Sequence, residues 1–245
     1  MWLTSSSVGR KLVMAITGAC LVLFVTFHCV MNGVAIFWPT AYNEICNFLG
    51  ANWYALIASM GLAALFIIHI CYAVWLTLQN RKARGTDRYA VVAKPKGVEW
   101  SSQNMLVLGI VILAFLVLHL IQFWAKMQLA EIMHCPATID GLPTPPQAGT
   151  LFIQAAFSQW WTPVVYIIGF VALWSMFQSC GWENNIWLPR LKSISCWWTS
   201  IVVALFIAQA VVFTVNAHKQ SYLRCPALME QYMEYASEGA DANTV

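Results

Sequence analysis

The sequence predicts an all-α integral membrane protein, a bundle of five transmembrane helices forming one domain over residues 1–245. Three observations predict it. Hydrophobic residues make up 60% of the chain and charged residues only 9%, whereas a soluble domain carries about 25% charged residues. Five runs free of Asp, Glu, Lys and Arg are each long enough, at about 1.5 Å per residue, to cross a hydrocarbon core of about 30 Å. The 13 tryptophans suit aromatic belts at both membrane interfaces. With no basic helix and no Arg-rich arm, nothing points to a nucleic acid as partner.

Residues 1–11 are short and polar and end in Arg10 and Lys11. They imitate the start of a signal peptide. The apolar run that follows is too long for one and closes on no small-residue cleavage site, so it reads as a retained first span, residues 12–36. Pro39 ends that span, and the connector to Asn52 carries Tyr42, Asn43, Glu44 and Asn47. The second span covers residues 53–78. A basic stretch follows it: Arg81, Lys82, Arg84, Arg88, Lys94 and Lys96, where Pro95 and Gly97 argue against continuous helix.

The third span covers residues 102–124. The connector from Lys126 to Thr150, rich in Pro and Gly, reads as an ordered surface loop or a short interfacial segment. The fourth span covers residues 160–179, with Pro163 tolerated in its first turn. Arg190 and Lys192 lie in the next connector, the fifth span covers residues 194–215, and the tail from His218 onward is polar and mildly acidic. All but three of the 13 Lys and Arg residues (Lys126, Lys219 and Arg224) then share one side. The positive-inside rule puts that side, with the N-terminus, in the cytoplasm and the C-terminus outside.

The eight cysteines show no CxxC pair and no zinc-type spacing. Most read as small filler in apolar runs. Cys46, Cys135 and Cys225 fall in segments placed outside the cytoplasm, where a disulfide between two of them stays open.

Three spans each carry one histidine, and an imidazole in hydrocarbon needs a partner. Measured by the helix rise, His28 lies roughly 25 Å past Lys11 and His119 lies a similar distance past Ser102. His69 lies roughly 18 Å before Arg81, deeper toward the cytoplasm. Three intramembrane histidines on separate helices suggest a metal cofactor, most simply haem. A b-type haem takes an imidazole on each face, and His28 with His119 meets that requirement at one level. His69 calls for another partner, and the fourth span, the obvious place to look, has no histidine. Hydrogen-bonded residues inside a bundle are the plainer alternative for each. His134 and His218 fall outside the membrane core and read as solvated.

These residues resemble a known family. "SSVGRKLVMAITG" leading to His28, "LFIIHICYAVWLTLQNRKARG" around His69, "WSSQNMLVLGIVILAFLVLHL" ending at His119, and "SMFQSCGWENNIWLPRLKSIS" between the last two spans are similar to the five-helix cytochrome b membrane anchor of succinate dehydrogenase and fumarate reductase. The likeness covers nearly the whole chain and is greatest to forms from anaerobic or menaquinone-using bacteria. It implies a multi-pass protein of the bacterial cytoplasmic membrane that docks an iron–sulfur subunit and a flavoprotein subunit. Its work would be to pass electrons through haem b to menaquinone, without a dicarboxylate site of its own.

The resemblance implies two stacked haems. The outer one takes its ligands from the first and third spans, matching His28 and His119. The inner one takes them from the second and fourth, matching His69 alone. Where family members carry a histidine-containing stretch, "VYIIGFVALW" here runs directly into "SMFQSCGW", so about seven residues, close to two turns, are absent. Three explanations stay open: a stretch lost from the sequence; a one-haem protein, or a five-coordinate haem on His69; or ligation by another group, Met176 being on the fourth span near its cytoplasmic end. Arg10, Lys11, Trp100 and Ser102 are candidate donors to inner-haem propionates.

In the family an acidic residue after the first span takes part at the quinone site. Glu44 is the nearest match, supported by Tyr42 and Asn43. The basic stretch from Arg81 to Lys96 could dock the iron–sulfur subunit, or serve topology and lipid headgroups alone. Two other classes stand beside this reading: a haem-free structural anchor, and a di-haem subunit of another quinol oxidoreductase. A transporter would show inverted repeats or helices broken at midplane, and the sequence has neither.

Overall fold

Ser6 opens the first helix as its N-cap, its hydroxyl accepting from the Gly9 N–H at 2.9 Å. The computed structural model describes residues 6–50, 52–84, 104–135, 137–139, 142–178, 189–230 and 233. Helix α1 spans Ser7–Phe37, α2 Pro39–Gly50 and α3 Trp53–Arg84. Helix α4, Met105–His119, runs into a π-helical segment, Leu120–Leu129, and a last α-turn, Ala130–Ile132. A short antiparallel hairpin follows, β1 Ala137–Ile139 and β2 Leu142–Thr144. Then come α5 Gly149–Phe157, α6 Trp161–Gln178 and α7 Pro189–His218.

Five of these helical runs are long and apolar enough to cross a membrane, in the order and places the sequence predicts. The protein is an all-α, multi-pass membrane chain apart from its small hairpin. Four of the helical runs extend beyond the residues expected. α1 starts at Ser7, α3 continues to Arg84, the third run reaches Ile132, and α7 starts at Pro189. An apolar window stops at the first charge. The backbone ladder does not, because a long cationic side chain can lay its stem along the helix and place its head in the interface. Pro189 is well suited to a first helical position, since its missing N–H would have had no partner there.

The connectors are corrected more substantially. The stretch from Pro39 to Asn52 is largely helix, with Pro39 opening α2 where the sequence reading made it only a stop. The stretch from Lys126 to Thr150 completes the third helical run, forms the hairpin and begins α5. Seven described cysteines are free thiols, Cys46, Cys135 and Cys225 among them. The basic side chains of Arg88, Lys94 and Lys96, with Trp100 and Ser102, lie outside the described residues.

α6 packs against both α4 and α7, α7 packs on α1, and α1 packs on α3. Among the described residues, α1 and α4 make at most marginal backbone contact, and so do α3 and α6. The backbones of the α1/α3 pair and the α4/α6 pair therefore stand apart. Polar side chains bind the helices where they do meet. Gln209 on α7 donates to the Cys29 carbonyl of α1 at 2.8 Å, Trp198 to Thr26 at 3.1 Å, and Trp174 on α6 to Ser200 on α7 at 2.9 Å. In hydrocarbon no water competes for these groups, so each must find a partner within the protein. The outward faces, such as Ile57, Met60, Ile67 and Ile68 on α3, are exposed and apolar, as a wall against lipid requires.

One end of the bundle is closed by a cap of α2, the hairpin, α5 and the segment after α7. Asn43 on α2 accepts the Thr150 N–H at 3.1 Å, supplying α5 with the cap that Ala148 cannot give. Gln154 on α5 donates to the Ala217 carbonyl at the end of α7 at 2.6 Å. Phe152, Tyr222 and Leu228 are fully buried in this cap or beneath it.

Candidate functional site

α1 and α4 carry His28 and His119, and although their backbones stand apart the two imidazoles meet. Their ring centroids lie 5.7 Å apart, with the planes at 85°. Equal depth was legible from helix rise; that both rings turn inward toward one another is decided by packing. Aromatic side chains wall the pair. Phe24 stacks on His28 with centroids 5.6 Å apart, and Phe206 of α7 lies at 6.2 Å. Phe115 and Phe123 flank His119 at 6.1 and 5.3 Å. Gly169 on α6 lets Phe115 sit directly against that helix backbone, where a Cβ would stand 2.5 Å from the ring.

His119 is held by two residues the sequence reading did not single out. Its Nδ1 lies 3.2 Å from the Tyr166 hydroxyl of α6, and that hydroxyl donates to Gln122 Oε1 at 2.8 Å. The only sequence signal was general: a tyrosine and a glutamine inside apolar spans need partners. Gln122 lies at the start of the π-helical segment, which begins immediately after His119. Such segments are rare and favour functional positions.

His69 lies elsewhere. Its Nδ1 is 2.8 Å from Thr17 Oγ1 on α1, and its ring rests beside Gly18, whose added Cβ would stand 3.5 Å from Cε1. Thr17 comes three turns before His28 on α1, so the His69 level is roughly 16 Å away along the helix. Thr17 Oγ1 also lies 2.8 Å from the Val13 carbonyl of its own helix. Among the described residues, no other aromatic ring touches His69, and Met176 of α6 packs toward Gly109 of α4. Two turns before Thr17, Arg10 reaches α3, donating to Gln79 Oε1 at 2.6 Å and lying over Trp75 at 5.6 Å.

The three connector residues separate in the same way. Asn43 is buried and caps α5. Tyr42 packs against the core beside Cys46 and Gly149, and burial raises its phenol well above the ordinary range. Burial pushes the Cys46 thiol up to about 12. Glu44, the next residue, is exposed. His134 and His218 are both exposed, and His218 Nδ1 lies 2.9 Å from the Thr214 carbonyl in its own helix. Comparison with protein-family models, with curated proteins and with solved structures finds no match to this chain.

His28 and His119 are two imidazoles from separate helices whose rings meet among aromatic side chains, and they are the residues of this site that could hold a metal.

Proposed function

We propose that this chain is the haem b membrane-anchor subunit of a succinate:quinone oxidoreductase, either succinate dehydrogenase or fumarate reductase. It would pass electrons between an iron–sulfur subunit and menaquinone in a bacterial cytoplasmic membrane. The observation that carries the reading is the meeting of His28 and His119 across helices whose backbones stand apart. It agrees with the likeness of the histidine-bearing stretches to that family.

Haem bound between these residues would supply one-electron chemistry. His28 and His119 would hold it from opposite faces. Phe24, Phe115, Phe123 and Phe206 keep water from the pair. The second, inner haem that the likeness implies would take His69, whose Nδ1 lies 2.8 Å from Thr17 Oγ1. The positive-inside distribution supports a cytoplasmic N-terminus, with the basic stretch from Arg81 to Lys96 facing the iron–sulfur and flavoprotein subunits. Glu44, exposed on the cap, is the proton donor proposed for quinone. Tyr42 and Asn43 support it by fixing α2 to α5.

The test is a reduced-minus-oxidised spectrum and a pyridine haemochrome assay on the complex purified from membranes. The expected result is a b-type α-band in the wild type that His28→Ala and His119→Ala each abolish at the outer site. A wild-type complex without haem, or both variants with full haem, refutes the assignment.

A further inference from the structure

We infer that Tyr166 is a positioning residue for His119: its hydroxyl, oriented by Gln122, fixes the imidazole in the tautomer that keeps the Nε2 lone pair free. The inference rests on the haem reading above and adds to it a residue from a third helix. A phenol has one proton. The Gln122 Oε1 atom, 2.8 Å away, can only accept, so that proton is committed to it. The same phenol oxygen stands 3.2 Å from His119 Nδ1. With its proton already given away, the oxygen can only accept there, and Nδ1–H must donate. The neutral ring then carries no proton on Nε2, and among the described residues Nε2 has no hydrogen-bond partner. An imidazole in this form is ready to ligate. If Nε2 carried the proton instead, ligation would first have to move it in a region without water.

The two imidazoles of the pair are not equivalent. His28 has ring contacts but, among the described residues, no hydrogen bond. The relay on His119 therefore sets the donor strength of one side of the site. An acceptor on Nδ1–H makes the imidazole a stronger electron donor and orients its ring, and loss of such a partner typically weakens metal binding by about 10–100-fold. A stronger donor favours the oxidised metal.

The experiment compares wild type, Tyr166→Phe and Gln122→Leu in the purified complex. Phenylalanine keeps the ring contacts of Tyr166 with Phe115 at 5.0 Å and Phe157 at 5.1 Å, and removes only the oxygen. Gln122→Leu keeps the oxygen and frees its proton to turn toward Nδ1. Two quantities are read: the rate of haem transfer to excess apomyoglobin, and the midpoint potential from a redox titration. Both variants are expected to lose haem at least about tenfold faster and to titrate at a higher potential than wild type. Haem retention and potential unchanged in either variant that assembles overturn the positioning role while leaving the haem reading intact. Absence of haem from the wild type overturns the haem reading itself. If Tyr166→Phe does not assemble, Gln122→Leu decides alone.

Discussion

Gly169→Ala probes the packing behind His119 with a single added carbon. The new Cβ would lie 2.5 Å from Phe115 Cγ and 2.8 Å from Cδ1 and Cδ2. Carbon atoms sit comfortably at about 3.5–4.0 Å, so the ring must retreat by roughly 1 Å. It has little room to do so. Phe115 is held edge-on by Tyr166 at 5.0 Å and Phe170 at 5.5 Å, and His119 lies beyond at 6.1 Å. Overpacking of this kind costs about 1–3 kcal/mol, while alanine gains about 1 kcal/mol over glycine in a helix. The net expectation is a loss of roughly 0–2 kcal/mol. Gly61→Ala on α3 is the matched control, because a Cβ there meets nothing within 4 Å; only the gain of about 1 kcal/mol remains. The two variants should therefore differ by about 1–3 kcal/mol in unfolding titrations in mixed micelles. On the haem assignment proposed above, Gly169→Ala should also show a lower haem-to-chain ratio. Equal stability of the two variants would refute the argument that helix α6 and Phe115 are in close contact.

Two further outcomes concern the cap. Cys46, with its thiol pushed up to about 12 from an ordinary 9.0, should resist alkylation at pH 9 in the folded chain, whereas exposed Cys135 should react, as peptide mass mapping would show. The same shift makes the cap alkali-sensitive. The unfolded chain sheds this proton first, so stability present below pH 9 is lost as pH rises toward 12, and a melting temperature flat across that range would contradict it. Asn43→Ala should destabilise the cap by about 1–2 kcal/mol by leaving the buried Thr150 N–H without this acceptor. Asn43→Asp keeps an acceptor there and should recover most of the loss; equal melting of the alanine variant and wild type would remove the capping role.

The five helices long and apolar enough to cross a membrane, and the relative levels of the histidines along them, were legible in the sequence alone. Length and the absence of charge decide which runs can cross a hydrocarbon layer, and a fixed rise per residue converts position into depth. That arithmetic set His28 and His119 at one level and His69 at another, and the structure brings the first two within 5.7 Å.

Only the tertiary structure decided how each helix is rotated about its axis. A soluble helix reveals its inner face by an apolar stripe, but these spans are apolar all round because lipid is as apolar as the core. Nothing in the sequence could therefore show that Tyr166 meets His119 or that Thr17 takes His69. The cap lay beyond sequence reading for a related reason. α2 and α5 are short helices held by contacts far apart in the chain, Asn43 to Thr150 and Gln154 to Ala217. Such contacts exist only once the spans have come together.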